Sequence, residues 1–233
     1  MNKFFLTIIS FLALAFLTNC SARKTTAAPL TTDIGVTING ITWATRNVDA
    51  PGTFAANPED AGMIFQWGKP YGWRATLHYT DKYVDDWAMY LPTQRWNFTI
   101  GGWENSNWVR GGAEGTEWET QNDPCPAGWR VPTKNELQSL IDADSEWITQ
   151  NGVNGYLFGA MPYQVFLPVA AARCAGYGVV SAEPITGGHY WSNERLEYWS
   201  PNSHLLWFSE RSIPSMGGWM SGAGYSIRCV KIK

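Results

Sequence analysis

The chain has 233 residues, of which 45% are apolar and 16% are charged, so its composition excludes both a disordered acidic tail and a charge-rich coiled coil. A net charge of -3 without a long Lys/Arg run argues against nucleic acid as a partner. The four Cys and three His residues are too widely spaced for a zinc site, and we expect no metal and no cofactor.

The N-terminal residues have the features of an export signal. Lys3 precedes residues 4–17, which carry no charge and are fewer than the roughly 20 residues that a membrane-spanning helix needs. The stretch ends in Leu17-Thr18-Asn19-Cys20, which resembles a bacterial lipobox. We therefore predict a signal peptide over residues 1–19 and a lipid on Cys20 that holds the protein at the membrane, in the cell envelope and on the outer membrane. The alternative is an ordinary secreted protein in which Cys20 leaves with the signal.

The next segment, residues 20–32, is small and polar and contains Pro29, a composition typical of a flexible linker. We predict that it carries the lipid and connects it to one domain, residues 33–233, which begins at Asp33.

The domain opens with a predicted hairpin, because Asn39-Gly40 suits a type I′ turn and short apolar runs flank it on both sides. A third strand is predicted over residues 63–67. A variable loop region, residues 68–122, follows with little regular periodicity. Seven of the fourteen Trp residues lie between Trp67 and Trp118, which makes this the chemically unusual part of the chain.

A helix is predicted to begin after Thr133, because Thr133 and Glu136 have the spacing of a capping box. Leu137, Leu140 and Ile141 would form one apolar stripe, and residues 142–145 are expected to end the helix. Short strands are predicted over residues 156–158, 165–169, 189–192, 205–209 and 225–232. The fold class is therefore α+β, with short antiparallel strands and one main helix.

Two cysteines are placed to connect the middle of the chain to its end. Cys125 precedes the predicted helix and Cys229 lies in the last predicted strand, so export favours a disulfide between them. Cys174 is then left over among several Ala residues. We interpret it as a small core residue, with a reactive thiol as the alternative.

Five sequence blocks occur in an order that resembles the Fibrobacter succinogenes major paralogous domain. They are Asn39-Gly40-Ile41-Thr42-Trp43-Ala44-Thr45-Arg46-Asn47-Val48, Asp123-Pro124-Cys125-Pro126-Ala127-Gly128-Trp129-Arg130-Val131-Pro132-Thr133, Phe166-Leu167-Pro168-Val169-Ala170-Ala171, Tyr190-Trp191-Ser192 and Gly224-Tyr225-Ser226-Ile227-Arg228-Cys229-Val230. The resemblance implies a C-type-lectin-like fold, related in outline to the sulfatase modifiers that generate formylglycine. It also implies an exported protein of Bacteroidetes-like bacteria with a role in surface binding, adhesion or fimbriae.

The candidate ligand-binding residues lie in the variable loop region. Trp96, Trp103 and Trp108 could stack on the apolar faces of sugars, while Asn105 and Asn107 bond their hydroxyl groups. The alternative is that these rings fill the core of a loop region that lacks regular strands.

A calcium site of the lectin type is not expected, because Glu183-Pro184-Ile185 and Trp191-Ser192-Asn193 supply too few oxygen ligands. Paired acids such as Glu194 with Glu197, or Asp85 with Asp86, could serve a glycosidase, but we interpret them as surface acids. His78, His189 and His204 are interpreted as loop or strand-surface residues rather than catalytic bases.

The sequence therefore predicts a binding or adhesion lipoprotein without catalysis, whose partner is a glycan or a surface protein. A structural or accessory component of a surface fimbria is the first alternative. A glycan-processing enzyme is the second.

Overall fold

The computed structural model describes residues 30–74, 87–90, 95–98, 115–170, 172, 187–196 and 202–233, with the backbone alone for residues 73, 74, 87–90 and 95–98. The strands are β1 (Val36–Ile38), β2 (Ile41–Trp43), β3 (Met63–Gln66), β4 (Gly72–Arg74), β5 (Trp87–Tyr90), β6 (Arg95–Phe98), β7 (Trp129–Arg130), β8 (Ser145–Gln150), β9 (Val153–Phe158), β10 (Val165–Pro168), β11 (Gly187–Arg195), β12 (Asn202–Ser209), β13 (Ser212–Met220), β14 (Gly224–Tyr225) and β15 (Val230–Lys231). The α-helix of the described part is α1 (Lys134–Ile141), and Thr120–Asn122 form one 3-10 turn.

These strands form four antiparallel sheets, and together with α1 they confirm the α+β class. Their strand orders are β1-β2-β15-β7, β14-β3-β4-β5-β6, β10-β9-β8 and β11-β12-β13. A parallel bridge between Tyr190 and Ser226 connects β11 to the chain after β14.

The predicted opening hairpin is confirmed. Ile38 pairs with Ile41 across the turn, and both turn residues have positive φ, 49° for Asn39 and 76° for Gly40. The side-chain amide of Asn39 donates to the Ser139 carbonyl, so this turn is also held against α1.

The predicted helix is confirmed with its capping box. The Thr133 hydroxyl accepts from the Glu136 N–H at 3.1 Å, and the Glu136 carboxylate accepts from the Thr133 N–H at 2.8 Å. Leu137 and Leu140 are fully buried against one face of the β11-β12-β13 sheet. The helix is therefore short, and it is stabilised by packing on a sheet.

The opposite face of the same sheet borders a second apolar cluster. Trp191 and Leu205 point to this side and pack with Phe65, Trp67 and Tyr225. The β11-β12-β13 sheet is thus the middle layer between α1 and the aromatic cluster.

Several strands were not predicted from the sequence. The variable loop region contains β4, β5 and β6, so the expectation of little regular structure there was wrong. β8 begins at Ser145, where the sequence was expected only to end the helix, and β13 contains Pro214, Gly217 and Gly218, which weaken a strand pattern.

The predicted disulfide between Cys125 and Cys229 is present and connects positions 104 residues apart. Its half-cystine at Cys229 is fully buried in the aromatic cluster.

The first described residues, from Leu30 onward, are in contact with the rest of the domain. Leu30 bridges Phe54, and the buried Asp33 carboxylate accepts from the Thr45 hydroxyl and from Arg46 Nε, at 2.9 and 3.1 Å. Of the helices in the described ranges, none has the length and apolar character needed to cross a bilayer.

Candidate functional site

The two ends of the tryptophan-rich segment meet on the body of the fold. The rings of Trp67 and Trp118 lie 5.9 Å apart between centroids, and both are buried. Trp67 Nε1 donates to the Ser192 carbonyl at 2.9 Å, and the Trp118 N–H donates to the Asn193 carbonyl at 2.7 Å. Trp67 and Trp118, which flank residues 68–117, are therefore bound at the same place in the fold, the C-terminal part of β11.

The base of this segment is held by further contacts. The Arg195 guanidinium lies 5.0 Å from the Trp67 ring centroid, and the Arg195 N–H donates to the Thr116 carbonyl at 2.9 Å. In the reverse direction, Trp191 Nε1 donates to the Phe65 carbonyl at 2.8 Å. The indole N–H groups of Trp67 and Trp191 thus bind β3 and the residue after it to β11 in both directions.

Most of the candidate stacking residues lie outside the described residues. This is the case for Trp103, Trp108, Asn105 and Asn107. Trp96 lies in β6, where its backbone pairs with Met89, and its side chain is not described. Their role in stacking stays a prediction.

Four of the five sequence blocks meet at Arg228, which is fully buried. Its guanidinium donates to Asn47 Oδ1 at 2.9 Å, to the Ala44 carbonyl at 3.1 Å and to the Phe166 carbonyl at 2.9 Å. Burial lowers the pKa of Arg228 to about 10. The cation is thus held mainly by uncharged acceptors.

Tyr190 completes this network. Its hydroxyl donates to the Pro168 carbonyl at 2.6 Å and accepts from Asn47 Nδ2 at 3.4 Å. Burial raises the pKa of Tyr190 to about 12. The phenol is therefore a neutral structural donor rather than an exposed reactive group.

The remaining block also forms structural bonds. The Asp123 carboxylate accepts from the Cys125 N–H at 2.8 Å and from the Val131 N–H at 3.0 Å, and burial raises its pKa. Arg130 binds both carboxylate oxygens of Glu136, at 2.8 and 2.7 Å. The blocks that carry the family resemblance therefore shape the scaffold.

The acid and histidine candidates have structural surroundings where they are described. Glu194 Oε1 accepts from the Lys134 N–H at 3.0 Å, at the start of α1, whereas Glu197, Asp85 and Asp86 lie outside the described residues. Glu194 is partly exposed, and its carboxylate binds the backbone at the start of α1, so this surface acid has a structural contact.

The described histidines lie in strands. The His189 ring stacks on Tyr225 at 4.9 Å between centroids, and burial lowers the pKa of His189 to about 4. His204 lies in β12, while His78 and Cys174 lie outside the described residues. Within the described ranges, no cluster of three His, Cys, Asp or Glu side chains is arranged to hold a metal ion.

The structure also reveals an exposed apolar strand that the sequence analysis did not identify. Among the described strands, β13 lies at the edge of its sheet, and Ile213, Trp219 and Met220 on it are 75%, 52% and 44% exposed. The sequence signal that could have predicted this strand is the run of nine uncharged residues, 212–220. Its two glycines and Pro214 are unfavourable in strands and obscured that signal.

Comparisons with protein-family models, with curated proteins and with solved structures find no match to this chain. In the described residues, the fold consists mainly of antiparallel β-sheets with one α-helix, and Trp67 and Trp118 are in contact at the two ends of the tryptophan-rich segment.

Proposed function

We propose that the protein is a lipid-anchored envelope protein that binds glycan without catalysis, as an adhesion or recognition module. The observation that supports this most is the contact between Trp67 and Trp118, which brings both ends of the tryptophan-rich segment together on β11. Long segments displayed from a rigid scaffold are common places for binding function.

The chemistry of the segment suits sugars. Indole rings stack on the apolar faces of pyranoses, and amide side chains bond the hydroxyl groups around them. In this proposal Trp96, Trp103 and Trp108 supply the rings, and Asn105 and Asn107 supply the amides. The sequence blocks are occupied by structural bonds, and for this reason we assign recognition to the segment instead.

The family resemblance adds a fold and a location to the proposal. The sequence blocks around Arg228 have structural roles, which supports their use as a marker of the fold. We propose that this fold is a C-type-lectin-like domain of the Fibrobacter succinogenes major paralogous type. Cys20 would carry the lipid, and the outer membrane would hold the chain.

The proposal is tested by a glycan array with the full chain and three variants. The unmodified chain should bind a defined set of glycans, and Trp103→Ala should weaken that binding by up to about tenfold, since ring stacking contributes about 0.5–1.5 kcal/mol and tenfold corresponds to about 1.4 kcal/mol. Tyr163→Ala, which removes an aromatic ring that is 63% exposed in the β9–β10 turn, is the matched control and should bind normally. Glu194→Gln should also bind normally. An array without binding would overturn the glycan proposal.

A second candidate function, a component of a surface fimbria, is favoured by one observation. The edge strand β13 spans nine residues without a charge, and edge strands of this kind can accept another strand. Surface fractionation with cross-linking separates the two: a fimbrial component should migrate as a covalent ladder, whereas an adhesion module should migrate at the size of a monomer or dimer.

A further inference from the structure

The chain is fastened to the domain from Leu30 onward, a short distance after the position that is predicted to carry the lipid. The Phe54 N–H donates to the Leu30 carbonyl at 2.6 Å, and the two residues form a β-bridge. The Asp33 side chain is 1% exposed and accepts from Arg46 Nε at 3.1 Å. The Arg46 guanidinium also lies 5.5 Å from the centre of the Phe54 ring. Only the ten residues 20–29 therefore connect the predicted lipid to the fastened chain.

This short connection keeps the surface near Leu30 close to a membrane that holds Cys20. Ten residues span at most about 35 Å when fully extended and roughly 15–20 Å as a flexible coil. A compact body of about 150 residues, the number that the structure describes, has a radius of gyration of about 15 Å and thus a diameter of roughly 40 Å. Because the domain is wider than the average length of its connection, the surface around the attachment point is the part that meets the bilayer most often.

Two segments of the chain form the surface at this end of the domain. Ile34, which follows the fastened residues, is 90% exposed. A Cβ added to Gly35 would meet the tip of the Trp129 ring at 2.8 Å, so this segment lies on that indole. Lys231 is the β15 partner of Trp129, and Ile232, which comes next, is 53% exposed. The two segments thus meet at Trp129. We call their exposed side chains, Ile34, Lys231, Ile232 and Lys233, the anchor-proximal patch.

Positive charge is concentrated at this end of an acidic chain. Both lysines of the anchor-proximal patch are exposed, and the connection to the lipid adds Arg23 and Lys24. The one acid of residues 20–37 is Asp33, which is buried and ion-paired. The chain as a whole has a net charge of -3, so this basic end runs against its overall composition. Exposed apolar side chains beside basic ones are the combination with which peripheral proteins bind anionic bilayers.

We propose that the anchor-proximal patch lies on the bilayer that holds the lipid, with its isoleucines in the interface and its lysines on the phosphate groups of anionic phospholipids. The lipid on Cys20 is part of the proposed function, on which this inference rests, and the patch adds to it the face of the domain that meets the membrane. Two apolar side chains and a few charges bind a bilayer only weakly by themselves. The lipid raises their effective concentration at the membrane, so the weak contact is populated.

Quenching of a fluorophore by nitroxide-labelled lipids tests the orientation of the domain. The full chain, isolated with its lipid, is reconstituted in vesicles of phosphatidylcholine and phosphatidylglycerol, and a fluorophore is attached at Ile34→Cys in a Cys174→Ala background. The matched control carries the same fluorophore at Ile213→Cys, an apolar position that is 75% exposed in a different sheet. Quenching at position 34 should be about twofold or more stronger than at position 213, because an interfacial group lies only about 5–10 Å from the acyl boundary.

A charge reversal tests the lysine contact. Lys231→Glu should lower the ratio of membrane-contacting to free domains by about fivefold or more, since each basic residue near an anionic surface contributes a factor of about that size. Arg211→Glu makes the same change of charge at an exposed turn and should leave the quenching at position 34 unchanged. Vesicles of phosphatidylcholine alone should weaken that quenching in the unmodified background. Both lysine and arginine positions are exposed, so the two variants should keep the thermal stability of the unmodified chain.

The outcomes separate this inference from the lipid anchor. A chain that does not float with the vesicles would overturn both. Flotation with equal quenching at positions 34 and 213 would leave the anchor in place and overturn the membrane contact of the patch. Strong quenching at position 34 that neither Lys231→Glu nor the removal of phosphatidylglycerol reduces would overturn the assignment of the lysines to anionic phosphate groups.

Discussion

The Arg228 guanidinium lies 2.9 Å from the side-chain oxygen of Asn47, a residue 181 positions earlier in the chain, and both side chains are fully buried. This bond joins the first and the last sequence block. Because neither residue reaches solvent, we attribute their presence in the sequence blocks to a role in the fold and not to a binding surface.

Removal of Arg228 should be strongly destabilising. Arg228→Met leaves Asn47 Oδ1 and the carbonyls of Ala44 and Phe166 without their donor, and unpaired buried acceptors of this kind cost about 1–3 kcal/mol each. We expect the free energy of unfolding to fall by at least about 3 kcal/mol in urea denaturation. Arg211→Met, at an exposed turn, is the control and should change it by less than about 0.5 kcal/mol. A loss below about 1 kcal/mol at Arg228 would show that the network is not a structural centre.

The disulfide should stabilise the fold through the unfolded chain. Closing a loop of about 100 residues contributes up to about 4.7 kcal/mol in the chain-entropy model, since it restricts the unfolded ensemble. We therefore expect a reductant to lower the denaturation midpoint of the unmodified chain and to have no effect on Cys125→Ala/Cys229→Ala. Equal midpoints for the oxidised chain and this double variant would contradict the prediction.

Stability should depend on pH through His189. Burial lowers its pKa to about 4 in the folded protein, whereas the unfolded chain has the ordinary value near 6.5. The unfolded state therefore binds more protons between these values, so the contribution is present above pH 6.5 and is lost as the pH falls toward 4, by up to about 3 kcal/mol.

His189→Phe tests this prediction because it keeps an aromatic ring against Tyr225 but cannot bind a proton. The difference in unfolding free energy between the two proteins should shift in favour of the Phe variant from pH 7 to pH 4.5. Parallel pH profiles for the two proteins would mean that His189 does not titrate with folding.

Lipidation of Cys20 is tested by metabolic labelling with a palmitate analogue. The unmodified chain should incorporate the label into the membrane fraction, and Cys20→Ala should lose it, because a lipobox cysteine carries the acyl chains on its sulfur and amino group. Cys174→Ala is the matched control and should keep the label. An unlabelled chain would favour the alternative in which Cys20 leaves with the signal.

Local signals in the sequence predicted local structure well. The Asn39-Gly40 turn and the Thr133–Glu136 capping box depend on contacts within a few residues, and both were confirmed. The pairing of Cys125 with Cys229 was also confirmed, although Cys229 lies between β14 and β15 and not within the single last strand that was predicted.

Features that depend on distant contacts were missed. β13 has a weak strand pattern because it contains Gly217 and Gly218, and the reason for these glycines lies in distant residues, since an added Cβ would meet Trp207 at the first and Leu196 at the second. The contact between Trp67 and Trp118 likewise depends on β11, which lies about 70 residues beyond Trp118 and whose carbonyls bind both ends of the segment. No spacing within the segment itself indicates that its ends meet.

The central proposal is that Trp96, Trp103 and Trp108 face solvent and contact a glycan. Hydroxyl-radical footprinting of the native full chain, read by mass spectrometry with and without a glycan that binds on the array, measures both. Trp96, Trp103 and Trp108 should be oxidised readily in the free protein and protected in the complex, while Trp43 and Trp191, which are fully buried, stay unoxidised in both. Oxidation of the three indoles at the low level of Trp43 and Trp191 in the free protein would contradict the account.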